Sequence, residues 1–211
     1  MAIRIVGLGG SFAPESTSLA AVRVALEGAA AAGAETEEYD IKTLNLPMYA
    51  PQFPDIPEQA LRLCESVYQC DGMIWSSPLY HGTISGSFKN ALDWLQLLSD
   101  RKPAYLTDKI IGLISTAGGT QGLQAVNTME FVVRALRGWA VPLVIPIPQA
   151  WRVIQHGTVL NDSIANQLRA LGGEVARAAH HFATGRITTA EVARAEAALQ
   201  PLSDSEIRKA H

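Results

Sequence analysis

Charge of one sign, cysteine and long apolar runs are all scarce in this chain of 211 residues. Lys and Arg number 17 against 20 Asp and Glu, a formal net charge of −3. No broad basic field therefore exists to condense onto nucleic acid or an anionic membrane. Only two cysteines occur, Cys64 and Cys70, with no histidine beside them. Their spacing fits neither a disulfide framework nor a zinc site and points to a reducing compartment. The five histidines suggest no metal either, because His180 and His181 are adjacent and so lie on different faces of a helix. Apolar stretches are cut by Gly, Pro or charge well short of the ~18 residues that a membrane span needs. Ala2 to Gly7 enters a β-branched run without the basic region and cleavage site of a signal peptide, so the expectation is a cytoplasmic protein.

What remains is the composition of one folded domain with a sizeable core, at 48% hydrophobic and 18% charged residues. Short apolar runs alternate with segments of helical period, as in buried parallel strands joined by crossover helices. Strands are expected at Ala2 to Leu8, Glu35 to Ile41, Gly72 to Ser76, Lys109 to Ser115 and Val141 to Ile147. Helices are expected at Ser16 to Ala32, Glu58 to Gln69, Ser85 to Leu98, Gln121 to Arg137 and Asn161 to Phe182. The half-acidic second strand suits an edge or near-edge position, and Pro142 and Pro146 confine the fifth to an edge or to strand ends. Within the second helix, Leu61, Cys64, Val67 and Tyr68 are expected to face inward. This strict alternation makes an α/β domain with a doubly wound five-stranded sheet the simplest topology. Residues 1–184 read as that domain. Residues 185–211 read as a short helical C-terminal tail, with a capping box at Thr188-Thr189-Ala190-Glu191, packing on the domain or on a partner subunit.

Ligands of open α/β sheets bind outside the carboxyl ends of the strands, so three loops matter. The first, Gly9 to Ser18, joins two glycines and the hydroxyls of Ser11, Ser16, Thr17 and Ser18 to a helix N-terminus. It is either a phosphate cradle without a lysine or an N-cap with a flexible turn. The second, Ser76-Ser77-Pro78-Leu79-Tyr80-His81-Gly82, either wraps a flat ring with amides and one aromatic edge, or uses Pro78 and Gly82 for its turns and Tyr80 to cover the core. The third, Thr116-Ala117-Gly118-Gly119-Thr120-Gln121-Gly122, again pairs glycines with hydroxyls before a helix. Together they argue for one anionic, planar ligand.

Other phosphate and nucleophile motifs fit poorly. No lysine lies between Arg4 and Lys42, which removes a Walker loop. A dinucleotide fingerprint beginning at Gly7 has Phe12 at its third glycine, although Asp40 stands where a ribose acid would. A nucleophile elbow at Gly9 to Ala13 would sit on the first strand, out of the chain order that a hydrolase triad with His81 or His156 requires.

The combination of Gly10-Ser11, Ser16-Thr17-Ser18 and the run Pro78-Leu79-Tyr80-His81-Gly82 to Gly86, ending Lys89-Asn90-Ala91-Leu92-Asp93-Trp94, resembles the NADPH-dependent FMN reductase family. The resemblance covers about Met1 to Phe182. It implies a flavodoxin-like fold with strand order 2-1-3-4-5 and helices on both faces. It further implies that Ser11, Ser16, Thr17 and Ser18 hold the FMN phosphate. Pro78, Leu79, Tyr80, His81 and Gly82 would meet the ring, with Thr116, Gly118 and Gly119 along its other side. The chain departs from the family at Ala13, where an arginine is usual, at Leu79 and His81, and at Ser85 in place of proline. By this resemblance the flavin carries the chemistry, and no side chain is expected to be catalytic.

Two functions follow as expectations. The first is an NAD(P)H-dependent flavin oxidoreductase that passes hydride from NADPH or NADH to FMN and on to an acceptor. Free flavin for a monooxygenase, a quinone, an azo dye or a metal oxyanion would each serve. The second, motivated by Ala13, is an FMN-binding electron carrier or regulatory flavoprotein without NAD(P)H activity. The mild charge favours the enzyme, because carriers steer by marked acidity. The resemblance implies a homodimer or homotetramer, for which the apolar Phe88, Trp94, Leu95 and Leu98 offer a face.

Overall fold

The structure is a computed structural model that describes residues 2–52 and 54–185. The expected tail, apart from Gly185, lies outside the described residues. Five parallel strands form the frame: β1 (Arg4–Gly9), β2 (Glu35–Asp40), β3 (Gly72–Tyr80), β5 (Ile110–Thr116) and β6 (Trp139–Ile147). Two further pairing segments complete the β structure: β4 (Thr83–Ile84), antiparallel to β3, and a separate hairpin of β7 (Ile154–Gln155) and β8 (Thr158–Val159). The helices are α1 (Thr17–Ala31), α2 (Ile41–Leu44), α3 (Glu58–Gln69), α4 (Gly86–Trp94), α5 (Leu123–Ala135), α6 (Ala150–Val153) and α7 (Asp162–Thr184).

The sheet runs β2-β1-β3-β5-β6, which is 2-1-3-4-5 when only the parallel strands are counted. The acidic β2 and the proline-bearing β6 are its two edges, where an unpaired side of the ladder tolerates both compositions. A register shift in β6 between the partners of Ile111 and Leu113 takes up the residues around Pro142, so the missing donor falls at a bulge.

Alternate side chains of the buried strands feed two cores. Val6, Leu8, Met73, Trp75, Ile111 and Leu113 face α3, α4 and α5. Ile5, Ile74, Ile110 and Ile114 face α1 and α7 on the other side. α1 and α7 approach at Gly28 and Gly172, where an added Cβ would collide with the carbonyl oxygens of Arg169 and Ala25.

The structure alters three readings. Leu61 is 51% exposed, because the buried stripe of α3 is Ala60, Leu63, Cys64 and Val67. The third helix ends at Trp94 and continues only as a 3₁₀ turn over Leu95–Leu98. Phe88, Trp94, Leu95 and Leu98 are all buried in the core, so that stripe offers no interface. No helix among the described residues is long and apolar enough to cross a membrane.

Candidate functional site

The switch point of this order lies between β1 and β3, where Gly9 at the end of β1 stands opposite Ser76 of β3. Ligands of doubly wound sheets bind in the crevice at such a point. The loop after β1 turns at Gly10, which has φ +110° and whose added Cβ would come within 2.5 Å of Asp40 Oδ1. Only glycine combines that backbone with that approach. Ser11 Oγ accepts from Ala13 N at 3.3 Å and shapes the turn. Ser16 is the N-cap of α1, accepting from Leu19 N at 3.2 Å. Its hydroxyl stands 3.5 Å from that of Ser11. Capping and a cradle thus coexist, since the other orphan N–H groups of the first turn keep their positive dipole end beside Ser11, Ser16 and Thr17.

Ser18 and Thr116 are placed differently from their neighbours. Both are buried, and their hydroxyls meet at 2.6 Å, tying the first turn of α1 to the end of β5. They brace the first and third loops from beneath.

The second loop is a hairpin. Leu79 pairs with Ile84 and Tyr80 with Thr83, leaving His81 and Gly82 as a two-residue turn with φ +50° and +86°. Two successive positive φ angles characterise the type I′ turn, which matches the strand twist. At its base, Ser77 Oγ donates to Pro78 O at 2.9 Å and accepts from Ser85 N at 3.0 Å. Pro78 is buried, Leu79 is half-buried, and His81 and Gly82 are exposed. Tyr80 is 50% exposed, so its ring stands at the rim and does not cover the core.

The third loop is pinned from one side. Its carbonyl oxygens at Ala117, Gly118 and Gly119 accept from Ala150 N (2.9 Å), Trp151 Nε1 (3.3 Å) and Gln149 N (2.8 Å). Ser115 Oγ closes its far end by donating to Gly122 O at 2.7 Å. Gly118 and Gly119 are exposed, and an added Cβ at either would meet nothing within 4 Å.

Ser11, Ser16, Thr17, the hairpin Pro78 to Gly82 and Gly118 to Gly119 thus share one end of the sheet. Among the described residues no three of His, Cys, Asp and Glu gather as a metal site. The two cysteines are free and buried away from these loops, and burial pushes the Cys64 thiol up to about 12 and that of Cys70 to about 11.

Two features have no counterpart in the sequence reading. A second His-Gly turn, His156-Gly157 at φ +50° and +73°, clasps the first loop: His156 N and Nδ1 meet the Glu15 carboxylate at 3.1 and 3.0 Å. The hydrogen bond from His156 holds the Glu15 carboxyl below its ordinary range. The second feature is the use of the Lys89 to Trp94 block. Asn90 accepts from Tyr49 N at 2.8 Å and donates to Leu46 O (3.3 Å) and Pro47 O (2.9 Å), while Trp94 Nε1 donates to Pro47 O at 3.0 Å. These residues fix the loop that follows α2.

The sequence profile of the NADPH-dependent FMN reductase family matches residues 3–152. The NADPH-dependent FMN reductase ArsH of Acidithiobacillus ferrooxidans is 35% identical over 127 residues, 59% of this chain and 51% of that protein. An FMN-dependent NADPH-azoreductase of Staphylococcus haemolyticus is 30% identical over 134 residues, 63% of this chain and 68% of that protein. The chain thus spans about half of the first relative and about two thirds of the second. Among solved structures, an oxidoreductase from Corynebacterium diphtheriae superposes with a TM-score of 0.70 at 15% identity, over 85% of this chain and 98% of that one. A flavodoxin from the domain Archaea does so with a TM-score of 0.60 at 9% identity, over 85% of this chain and all of that one. The fold is flavodoxin-like, and by the match over residues 3–152 the chain belongs to the NADPH-dependent FMN reductase family.

Proposed function

We propose that the protein is an NAD(P)H-dependent FMN reductase, taking hydride from NADPH or NADH and delivering it through bound FMN to a small-molecule acceptor. The observation that carries the reading is the convergence of a hydroxyl-rich helix N-terminus, a rigid hairpin and a glycine loop at the switch point of the sheet. The residues fit the group. The Ser76 hydroxyl, buried on β3 opposite the end of β1, has no partner among the described residues. Gly10 lets the first loop turn tightly against Asp40, where any side chain would collide. Ser11, Ser16 and Thr17 would hold the phosphate with the first-turn amides of α1. Ser18 and Thr116 would keep those amides in register with the third loop. Pro78 to Gly82 would support the ring on one side, with Gly118 and Gly119 on the other.

When bound, the flavin supplies hydride acceptance and donation, so the chain needs to supply orientation and amide dipoles rather than an acid or base. Ala13 gives the phosphate one charged contact fewer than the usual family arginine, and among the described residues neither the first nor the third loop contains Lys or Arg. FMN is therefore held by neutral donors. The buried, free cysteines support a cytoplasmic setting. A homodimer or homotetramer would cover exposed apolar residues such as Phe131, which is 78% accessible. A monooxygenase receiving reduced flavin remains one destination beside quinones, azo dyes and oxyanions.

The deciding experiment is a spectral titration of the purified protein with FMN, followed anaerobically by NADPH and then NADH. Binding with rapid bleaching of the flavin band is the expected result. Binding without bleaching by either nucleotide would leave an electron carrier, and no binding would overturn the site.

A further inference from the structure

An apolar groove of about 350 Å³ opens on the β2 side of the same sheet edge. Its walls are Phe12 from the first loop, Leu44, Leu46 and Met48 from α2 and the segment after it, and Ser87 and Ala91 from α4. Three observations make it more than a surface dent. It adjoins the cofactor loops along the chain: Phe12 follows Ser11 directly and the lining Gly86 begins α4 two residues after the hairpin strand β4. Its rim exposes large apolar side chains, Phe12 at 55% and Met48 at 76%, which a chain keeps in water where a ligand or partner covers them. Its outer wall is also held rigidly, since Asn90 and Trp94 fasten Leu46, Pro47 and Tyr49 with four hydrogen bonds.

The lining chemistry selects the occupant. Among the described residues no Lys, Arg, His, Asp or Glu lines the groove, so an oxyanion or a charged dye sulfonate would lose its hydration without a compensating partner. The Asn90 amide is already committed to the Leu46 to Tyr49 backbone, which leaves the Ser87 hydroxyl, 3.2 Å from that of Ser85, as the polar side chain within reach. A volume of this size falls at the lower end of small-molecule sites, which are mostly apolar with few polar anchors.

Resting on the reductase reading, we propose that this groove seats the outer ring of a neutral, planar, fused-ring quinone, with the quinone's reacting ring reaching the cofactor loops past Phe12. The overall reaction balances as quinone plus NADPH plus one proton giving hydroquinone plus NADP⁺. Asn90 and Trp94 are then positioning residues for the acceptor, and the block from Lys89 to Trp94 shapes substrate choice through the loop it holds.

The test compares 2-methyl-1,4-naphthoquinone with ferricyanide, a hydrophilic one-electron anion that gains nothing from an apolar groove. Ser87→Phe fills the groove from a half-exposed position on α4, and Met48→Gln makes its rim polar at a site too exposed to affect folding. Ser87→Phe is expected to raise KM for the quinone about tenfold or more, and Met48→Gln to raise it about threefold, in line with the loss of apolar contacts in a specificity pocket. The ferricyanide KM, the FMN Kd and the rate of bleaching by NADPH are expected to stay unchanged. Equilibrium dialysis of the quinone against protein as purified, without NADPH, is expected to find a site that Ser87→Phe removes. Unchanged quinone KM and dialysis in both variants would overturn the proposal, as would equal losses with both acceptors. So would conversion of a wild-type dimer to monomer by Ser87→Phe with the quinone KM intact, which would make the groove an interface between copies. If wild-type protein is not bleached by NADPH, the reductase reading fails, while the dialysis still decides the groove.

Discussion

Asn90 and Lys89 are neighbours in one block of sequence, yet the physics gives them unequal weight. Lys89 meets Asp93 at 2.5 Å, but the two side chains are 47% and 41% exposed. An exposed pair at this helical spacing contributes about 0.3–0.5 kcal/mol. Asn90 is buried, and its amide satisfies one backbone N–H and two carbonyls of the loop after α2. Removing such a group strands backbone polar atoms in a poorly hydrated place, at about 1–3 kcal/mol. Asn90→Ala should therefore lower the unfolding free energy, read from the urea midpoint at unchanged m-value, by about 1–3 kcal/mol, and Lys89→Ala by less than about 0.5 kcal/mol. Equal effects of the two substitutions would refute the clamp. Position 81 makes the same point about backbone. With φ at +50°, His81 occupies a region that His, Asn and Asp tolerate and β-branched residues do not. His81→Asn should leave FMN affinity intact, whereas His81→Val should weaken it about fivefold or more through a turn strained by about 1–2 kcal/mol. A titration of both variants with FMN measures this directly.

Elements were legible in the sequence to different degrees, for reasons of length and of packing partner. β1, β3 and β5 are continuous apolar runs, because helices cover both faces of the sheet, and such runs announce themselves. β4 and the β7–β8 hairpin are two-residue strands, too short for any periodicity. Their turns carry His-Gly where Asn-Gly would have been the stronger signal. The rotation of α3 that exposes Leu61 was hidden because Leu61, Cys64 and Tyr68 share a helical spacing as good as that of Ala60, Leu63, Cys64 and Val67. Only the sheet decides between them. The α1–α7 contact was equally silent, since a glycine in a helix does not say what crosses it. Its consequence is large: any Cβ at Gly172 strikes the α1 backbone at Ala25, which cannot rotate out of the way as a side chain can. Gly172→Ala should cost about 3 kcal/mol or more, at the upper end of overpacking effects. Gly173→Ala, one residue on, faces chiefly the Arg177 guanidinium at 3.1 Å and should be near neutral. Thermal melts of the pair, followed by far-UV circular dichroism, would show whether helix crossing or helix propensity dominates.

At the scale of the whole molecule, alternation points to a doubly wound parallel sheet, and the observed order, 2-1-3-4-5 in parallel strands, brings residues 10–17, 78–82 and 118–119 to one edge. That much of the site could be read in advance, because each loop carries its own glycines and hydroxyls. The groove could not, since it joins position 12 to positions 41–48 and 86–91, and none of those segments is distinctive until the sheet lays them side by side. If the cofactor binds at this convergence, cofactor and fold depend on each other. On the proposed reading the loops after β1, β3 and β5 would meet a single ligand, and Ser18 to Thr116 and Glu15 to His156 tie distant parts of the chain together around those loops. A ligand that binds only the folded state stabilises it by about 2.7 kcal/mol at a hundredfold excess over Kd. For a chain of this size each kcal/mol moves the melting temperature by about 2–4 °C, so saturating FMN should raise it by about 5–10 °C. Riboflavin, which offers the same ring without the phosphate, should raise it by far less if Ser11, Ser16, Thr17 and the α1 amides hold that group. Equal shifts with both flavins would mean that the ring loops alone carry the binding. The hydroxyl-rich turn after β1 would then be a helix cap and nothing more.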